Sequence, residues 1–343
     1  MLQVAINGYG RIGRSVLRAL FESDHRDGIK VVAINEIADP KTVRHLTKYD
    51  STHGILDLSV TGCDDYLEID GNQIALSSFA NPNDIPWINH GVDILFECSG
   101  SYSDRETAGV HLNQGAGKLL FSQPAEPNVD ATVVYGVNQS VLKAQHEIVS
   151  AASCTTNCIL PVIKVLEDSF GIEAGTITTI HSAMNDQPLL DTHNSLDLRK
   201  SRAATASIIP VDTALATGIG RIIPRMVDRF TAQALRVPTL NVSAMDLTIQ
   251  TKRKASVKSV NQALNEAAQL SLSGVLGYND APLVSCDFNH DSRSGVIDGQ
   301  QTRVAGGNLV KVLTWFDNEW GFANRMLDVA EYWSSIDHGG EKI

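Results

Sequence analysis

Residues 2–14 read Leu-Gln-Val-Ala-Ile-Asn-Gly-Tyr-Gly-Arg-Ile-Gly-Arg, and this stretch decides the fold. An apolar run typical of a buried strand leads directly into G-x-G-x-x-G and then into a helical pattern. Gly8 permits a tight turn, Gly10 lets the backbone approach a pyrophosphate, and Gly13 allows close packing of helix on strand. The N-terminus of the helix adds partial positive charge. The stretch therefore predicts a dinucleotide site.

An acidic residue follows at the expected distance from the last glycine. Glu36 lies 36 − 13 = 23 residues beyond Gly13, where about 20 is usual. A carboxylate there accepts hydrogen bonds from an adenosine ribose and repels a 2′-phosphate, which favours NAD over NADP. The alternative for Glu36 is a solvated residue at a strand end. The alternative for the glycines is a structural turn that binds no ligand.

Strand-like and helix-like segments alternate through the first half of the chain. The predicted strands cover 2–6, 30–35, 92–97, 118–122, 132–135 and 147–150, the predicted helices cover 11–22 and 40–48, and Asp70-Gly71 marks a hairpin between 66–69 and 73–76. Several of these strands are apolar throughout, as expected when both faces are covered. The alternation predicts an α/β fold with a doubly wound, mostly parallel (Rossmann) sheet.

The pattern changes after about residue 150. A helix over 157–170 precedes longer strands at 176–180, 231–237, 242–251 and 309–316, with a further helix over 257–272. This half predicts a second, α+β catalytic domain with a mixed or antiparallel sheet. We expect an NAD-binding domain over 1–150, joined by a C-terminal helix at about 318–343, and a catalytic domain over 151–317.

Composition excludes several classes of protein. The net charge of −11 argues against a general affinity for nucleic acid or anionic membranes. No apolar run approaches the about 20 residues that span a bilayer, and the N-terminus lacks the pattern of a secretory leader, so we expect a cytoplasmic protein. The five cysteines are odd in number and form neither a disulfide framework nor a zinc site, so we expect no metal.

The stretch Ser-Ala-Ala-Ser-Cys-Thr-Thr-Asn-Cys at 150–158 carries the candidate nucleophile. Cys154 lies between a predicted strand and a predicted helix, which places its sulfur near a helix N-terminus. The helix dipole and the nearby amides should lower the pKa of the thiol from about 8.5. We interpret Cys158 and Cys98 as small buried hydrophobes. The candidate base is His181, at the end of the strand over 176–180.

Five motifs, in this order, resemble the glyceraldehyde-3-phosphate dehydrogenase superfamily nearly from end to end. They are Asn-Gly-Tyr-Gly-Arg-Ile-Gly-Arg at 7–14, Ser-Cys-Thr-Thr-Asn-Cys at 153–158, His181 ahead of Asn-Asp-Gln at 185–187, Arg-Val-Pro-Thr at 236–239 and Trp-Phe-Asp-Asn-Glu-Trp-Gly at 315–321. The resemblance implies that the thiol of Cys154 attacks an aldehyde carbon and that His181 takes the proton of this thiol. Hydride passes to NAD and a thioester remains.

The resemblance also implies binding roles. The cofactor-binding set is Gly8, Gly10, Arg11, Ile12, Gly13, Glu36, Ser122 and Asn318, of which Asn318 would hold the nicotinamide carboxamide. The substrate-binding set is Ser153, Thr155, Arg199, Asp212, Thr213 and Arg236, of which Thr155, Arg199, Thr213 and Arg236 match positions that hold phosphate. Arginine suits phosphate because its planar fork binds bidentately. Members of the superfamily are homotetramers, so we expect a homotetramer.

Departures from the phosphorylating members indicate the subfamily. Met184 replaces a threonine, Asp212 adds a negative charge beside the anion site, Ala214 replaces a glycine and Phe322 a tyrosine. With the stretches 208–213 and 320–328, these residues resemble the D-erythrose-4-phosphate dehydrogenases. Those enzymes make 4-phosphoerythronate on the way to pyridoxal 5′-phosphate, and water releases the acyl group. The alternatives are a phosphorylating glyceraldehyde-3-phosphate dehydrogenase and a non-catalytic NAD-binding regulatory protein.

Overall fold

The glycine-rich stretch lies in the first of two units into which the chain divides. The computed structural model describes residues 1–194 and 197–337. Unit one comprises residues 1–153 and the C-terminal segment from Ala323, and unit two comprises Cys154–Phe322. The domain boundaries expected from the sequence fall after residues 150 and 317.

Unit one alternates strands and helices as its sequence predicts. Its strands are β1 (Leu2–Asn7), β2 (Ile29–Asn35), β3 (Tyr49–Asp50), β4 (Gly54–Ile55), β5 (Val60–Gly62), β6 (Tyr66–Ile69), β7 (Asn72–Ser77), β8 (Ile94–Glu97), β9 (Lys118–Phe121), β10 (Ala131–Thr132) and β11 (Ile148–Ser150). Its helices are α1 (Arg11–Phe21), α2 (Pro40–Lys48) and α3 (Arg105–Asn113). Asp39 accepts a hydrogen bond from the backbone of Thr42, and Pro40 takes the first helical position, so α2 begins with two strong start signals.

The sheet of unit one has the order β10-β11-β9-β8-β1-β2-β7-β6-β5. All pairs from β10 to β7 are parallel, whereas β7, β6 and β5 pair in antiparallel fashion at one edge. The predicted doubly wound, mostly parallel sheet is confirmed, as is the hairpin at Asp70-Gly71. The order reverses at β1, and the crevice at such a switch point is where α/β sheets bind ligands.

One predicted strand is largely wrong. The sequence predicts a strand over 132–135, but β10 ends at Thr132. The backbone N–H of Val133 still donates to Ser150 at 2.8 Å, whereas that of Val134 donates to the side chain of Asn138 at 2.7 Å. A local turn therefore satisfies the backbone that a ladder would otherwise pair.

Unit two is built on a second sheet. Its elements are α4 (Cys154–Phe170), β12 (Ile172–His181), β13 (Ile209–Val211), α5 (Leu215–Ile222), β14 (Phe230–Arg236), β15 (Ser243–Thr251), α6 (Val257–Gln269), β16 (Leu276–Asn279), β17 (Gly295–Asp298), β18 (Arg303–Ala305) and β19 (Leu309–Phe316). The order is β13-β14-β12-β15-β19-β17-β16, with β18 on β19. Parallel pairs at β12/β14 and β16/β17 make this a mixed sheet, as predicted.

Helix α4 is the apolar partner of this sheet. It begins at Cys154, three residues before the predicted start, and continues through Pro161 to Phe170. Cys158 is fully buried on its inner face, where its sulfur would lie 3.1 Å from a Cβ added at Gly295. The interpretation of Cys158 as a packing residue therefore agrees with its position. Because α4 is anchored along this face, the sheet fixes where the helix begins.

The C-terminal helix α7 (Trp320–Asp337) ends on unit one. Residues 338–343 of the predicted helix lie outside the described residues. His25 meets two carboxylates of α7, with Nε2 at 3.0 Å from Asp328 and Nδ1 at 2.9 Å from Glu331. Both ring nitrogens face acceptors, so the protonated ring fits. The hydrogen bond to Asp328 raises the pKa of His25 against the opposing effect of burial.

This contact should make stability depend on pH. Because the folded pKa lies above the unfolded one, the stabilisation is complete below the unfolded pKa of 6.5 and is lost as pH rises through the folded pKa. We predict that His25→Gln lowers the free energy of unfolding by about 1 kcal/mol at pH 6 and by clearly less at pH 9, as measured by urea denaturation. The exposed His45→Gln serves as control. A loss that is equal at both pH values would contradict the assignment.

Candidate active site

Two parallel strands bring the predicted base beside an arginine. β12 ends at His181 and β14 ends at Arg236, and the register of the pair sets these two residues opposite each other. The side chains meet, with Arg236 Nη1 at 3.2 Å from His181 Nδ1. Phe316, on β19, covers the imidazole edge-on at 6.2 Å between ring centroids. The base is therefore held on rigid strands and is 94% shielded, since only 6% of it is exposed.

The nucleophile comes to this base from the start of α4. Ala152 adopts a left-handed conformation (φ 59°) just before the helix begins at Cys154. Cys154 Sγ then lies 3.9 Å from His181 Nε2, within the reach of a thiol hydrogen bond. The structure thus brings together the two residues that the sequence predicts as nucleophile and base.

The other ring nitrogen of His181 determines which tautomer faces the thiol. Nδ1 lies 2.9 Å from the carbonyl oxygen of Ser182. A proton on Nδ1 can donate to this carbonyl, which leaves the lone pair of Nε2 directed at Cys154. Arg236 cannot donate to the same Nδ1 while that proton is there, so it acts on the ring through its charge. This tautomer is the one that a general base requires.

The pKa of the Cys154 thiol is opposite to the sequence expectation. Burial raises it from 9.0 to about 11, whereas the backbone N–H of Thr155 and the charge of Arg236 act to lower it. The position at the helix N-terminus is as predicted, but burial outweighs its effect. The expectation of a lowered thiol pKa is therefore wrong for this state of the site, in which the thiol is neutral.

His181 is neutral as well. Burial and the adjacent charge of Arg236 lower its pKa from 6.5 to about 4, against the hydrogen bond to Ser182. Arg236 therefore shifts both pKa values downward: it favours a thiolate at Cys154 and disfavours an imidazolium at His181. At neutral pH the pair is a thiol beside an unprotonated imidazole.

Asn318 is fixed by two buried serines. Its Oδ1 accepts hydrogen bonds from the hydroxyls of Ser182 at 3.0 Å and Ser243 at 2.9 Å. The backbone N–H of Ser182 also donates to the Ser243 hydroxyl at 3.0 Å. The sequence reading did not identify either serine, because a single serine at a strand end carries no signal of its own. The sequence does predict Asn318, and the structure links it to the base through Ser182, which contacts both side chains.

Apart from Ser153, the remaining predicted substrate residues occupy several elements of unit two. Thr155 lies in the first turn of α4, directly after the nucleophile. Thr213 accepts a hydrogen bond from the backbone of Leu215 at 3.2 Å, next to the exposed Asp212. Arg199 is exposed on the short helical turn Leu198–Ser201 that packs beside β13. Ser153, the last residue of unit one, precedes the helix.

In unit one the glycine turn has the geometry that its sequence predicts. Gly8 has φ +85°, and a Cβ there would lie 2.3 Å from Ser99 Cα. A Cβ on Gly13 would lie 2.3 Å from the carbonyl oxygen of Gly8, whereas one on Gly10 would meet only open space. The turn therefore requires glycine for packing at two positions and leaves the third accessible. This arrangement fits a pyrophosphate at the N-terminus of α1.

The acidic residue of the motif lies against this turn. The carboxylate of Glu36 accepts hydrogen bonds from the backbone N–H groups of Tyr9 at 2.7 Å and Ala38 at 3.0 Å. It borders a cavity of about 130 Å³ that Gly10, Arg14 and Thr42 also line.

The other predicted cofactor residues of unit one are distributed around the turn. Arg11 pairs with Asp50, while Ile12 is half-buried on α1. Ser122 follows β9, and its backbone N–H donates to Glu97 at 3.0 Å.

A buried network behind the turn was not predicted. Glu97 accepts hydrogen bonds from the side-chain amide of Asn7 at 2.6 Å and from the backbone N–H of Ser99 at 2.8 Å. Asn35 donates in turn to Asn7 at 2.9 Å. These residues end β1, β2 and β8, so the network joins the three central strands at the edge where the turn begins. Its only sequence signal is that three polar residues end apolar strands.

Comparison with known protein families agrees with this geometry. The family model of the glyceraldehyde 3-phosphate dehydrogenase NAD binding domain matches residues 2–105, and that of the C-terminal domain matches residues 153–318. The chain belongs to the glyceraldehyde-3-phosphate dehydrogenase family. It is an NAD-dependent oxidoreductase, and its cofactor is NAD. Within residues 1–194 and 197–337, no helix is long and apolar enough to cross a membrane and no cluster of His, Cys, Asp or Glu could hold a metal ion.

The charge of Arg236 gives a direct test of this family site. Arg236→Gln removes the positive charge that lowers the pKa of the Cys154 thiol. We predict that alkylation of Cys154 by iodoacetamide at pH 8 slows by about threefold to tenfold, since one pKa unit is a tenfold change in thiolate. Mass spectrometry of the peptide reads the rate, and the exposed Cys63 and Cys286 serve as internal references.

The matched control is Arg225→Gln, which removes an exposed arginine paired with Glu167 and Asp168. This control should leave the alkylation rate of Cys154 unchanged. If Arg236→Gln reacts at the wild-type rate while the reference cysteines also do, Arg236 does not act on the thiol.

Proposed function

We propose that this protein oxidises D-erythrose 4-phosphate to 4-phosphoerythronate through a thioester on Cys154, with release of the acyl group by water. The reaction class follows from the family, and the pair of Cys154 and His181, 3.9 Å apart, is the observation that supports the mechanism. The choice of D-erythrose 4-phosphate as substrate depends on Met184, Asp212 and Ala214 in unit two. A phosphorylating glyceraldehyde-3-phosphate dehydrogenase is the second candidate, because Arg199, Thr213 and Arg236 are all present.

The residues of the site divide the chemistry between them. Nε2 of His181 takes the thiol proton as Sγ of Cys154 bonds to the aldehyde carbon, and the backbone N–H of Cys154 would donate to the oxygen that develops charge. NAD, when bound, supplies the hydride acceptor that converts the resulting hemithioacetal to a thioester. His181 next releases the thiol proton to solvent and becomes a base again. It then removes a proton from the water that attacks the acyl carbon, and it passes this proton to the sulfur of Cys154 as the carbon–sulfur bond breaks.

The cofactor residues have separable roles in this proposal. The backbone around Gly8 and Gly10 holds the pyrophosphate, and Glu36 accepts the hydroxyls of the adenosine ribose. Asn318 donates from its side-chain amide to the nicotinamide carboxamide. Ser122, Arg11 and Ile12 complete the cofactor contacts.

The proposed acyl acceptor is water because the anion site carries a negative charge. Asp212 is exposed directly before Thr213, whose hydroxyl already accepts from Leu215 and keeps its own O–H for a phosphate oxygen. A carboxylate beside that oxygen repels inorganic phosphate. Ala214 has φ −90°, so the alanine that replaces the family glycine fits its backbone without strain. Met184, 45% exposed, offers a thioether where phosphorylating members offer a hydroxyl.

The deciding experiment compares NADH formation from D-erythrose 4-phosphate and glyceraldehyde 3-phosphate, with and without added phosphate. We predict that kcat/KM for the four-carbon substrate is at least about tenfold higher and that phosphate changes it little. Cys154→Ala should abolish turnover while NAD still binds. If the three-carbon substrate reacts faster and requires phosphate, the second candidate is correct.

Asp212 can be tested separately. We predict that Asp212→Ser raises phosphate-dependent turnover of glyceraldehyde 3-phosphate by about fivefold, which corresponds to about 1 kcal/mol of relieved repulsion at a solvated site. Asp212→Glu keeps the charge and is the matched control, with no expected gain. Equal phosphate dependence in all three proteins would show that the carboxylate does not act on the acceptor site.

The setting of the reaction is also part of the proposal. We propose a cytoplasmic homotetramer that acts on the way to pyridoxal 5′-phosphate. All five cysteines are free, which agrees with a reducing compartment. Sedimentation velocity would measure the number of subunits.

A further inference from the structure

Ser182 uses every polar atom it has to join two parts of the site. Its carbonyl oxygen accepts from His181 Nδ1 at 2.9 Å, and its backbone N–H donates to the Ser243 hydroxyl at 3.0 Å. Its own hydroxyl donates to Asn318 Oδ1 at 3.0 Å. Ser182 is fully buried, so each of these bonds replaces one that water would otherwise supply.

The hydroxyl hydrogens determine the orientation of the Asn318 side chain. Ser243 accepts from the backbone of Ser182, so its hydroxyl hydrogen is directed to Asn318 Oδ1 at 2.9 Å. Oδ1 therefore receives two hydroxyl hydrogens, one for each lone pair. If the amide were flipped, its N–H groups would replace Oδ1 and both buried hydroxyls would lose their acceptor. Since Ser243 is 1% exposed and Asn318 8% exposed, water does not readily replace that acceptor.

With Oδ1 fixed by the serines, the N–H groups of Nδ2 are the part of the amide left for a ligand. A ligand at Asn318 must then present an acceptor, such as a carbonyl oxygen. In the flipped orientation the same position would present Oδ1 and would select a donor. The two hydroxyls thus decide the polarity of the contact.

We propose that Ser182 and Ser243 are positioning residues that lock the amide of Asn318, so that it presents N–H donors to the carboxamide oxygen of the nicotinamide. This inference rests on the proposed contact between Asn318 and the nicotinamide. It adds that the orientation of the ring is set from behind Asn318, and that the same Ser182 fixes the tautomer of the base. Ser182 therefore helps to position both the nicotinamide ring, through Asn318, and the imidazole of His181.

Equilibrium binding provides a test that does not depend on turnover. The probes are NAD and ADP-ribose, which share every group except the nicotinamide. We predict that Ser182→Ala weakens NAD binding by about fivefold and leaves ADP-ribose binding within about twofold of wild type, as measured by calorimetry. Ser182→Ala keeps the backbone bonds to His181 and Ser243. Ser243→Ala should weaken NAD binding more than Ser182→Ala does, because it also leaves the backbone N–H of Ser182 without an acceptor.

Three further proteins sharpen the test. Ser294→Ala removes another buried hydroxyl of unit two that has no hydrogen-bond partner, and it should bind both probes like wild type. Asn318→Asp keeps acceptors for both serines but loses the N–H donors, so its preference for NAD over ADP-ribose should fall at least as far as in Ser243→Ala. In the double serine variant the loss should be less than the product of the two single losses, since either change frees the same amide.

The outcomes separate the inference from the proposed function. If wild type does not prefer NAD over ADP-ribose, the contact at Asn318 is absent and both fail. If wild type prefers NAD and the serine variants keep that preference, the contact stands and the lock is overturned. If the serine variants lose both probes equally, the hydroxyls only support the fold, which also overturns the lock. The alkylation rate of Cys154 should stay at its wild-type value in Ser182→Ala, because the carbonyl that orients His181 is unchanged.

Discussion

The proton on Nδ1 of His181 is the constraint on which the rest of the catalytic unit depends. Two groups approach that nitrogen, the carbonyl of Ser182 at 2.9 Å and the guanidinium of Arg236 at 3.2 Å, and a neutral ring can satisfy only one of them. An orphaned buried carbonyl costs about 1–3 kcal/mol. Arg236 is only partly buried and has other N–H groups that can meet solvent. The proton therefore stays on Nδ1, where it is donated to the carbonyl of Ser182, and Nε2 faces Cys154 as an acceptor.

Burial then decides the resting charge of the site. A helix N-terminus and a nearby arginine both stabilise a thiolate, yet the pKa of Cys154 rises to about 11 and that of His181 falls to about 4 because desolvation is the larger effect at each. A neutral pair needs no buried counter-charge, which suits a base that is 6% exposed and packs against Phe316. Burial thus lowers the acidity of the nucleophile, against the helix N-terminus and Arg236.

The sequence predicted the parts of this protein that depend on local pattern. Gly8 and Cys154 lie where their motifs place them, because a turn and a helix start are specified by a few adjacent residues. The thiol pKa was predicted in the wrong direction, since neither strand packing nor burial can be read from neighbours in sequence. Ser182 and Ser243 were missed for a related reason: they are 61 residues apart and meet only because β12 and β15 pair. The prediction of a strand over 132–135 was wrong because the side chain of Asn138 accepts the hydrogen bond from the backbone N–H of Val134.

The glycine motif itself specifies packing as much as binding. The loop after β8 approaches β1 so closely that a Cβ on Gly8 would overlap Ser99, and Glu97 holds both segments by accepting from Asn7 and Ser99. Glycine at position 8 is therefore required whether or not a nucleotide is bound. What the packing does not require is glycine at position 10, where a Cβ would meet open space. Gly10 is also the N-cap of α1, where glycine is among the favoured residues, and its open backbone is the part of the turn that a pyrophosphate can approach in the proposed cofactor site.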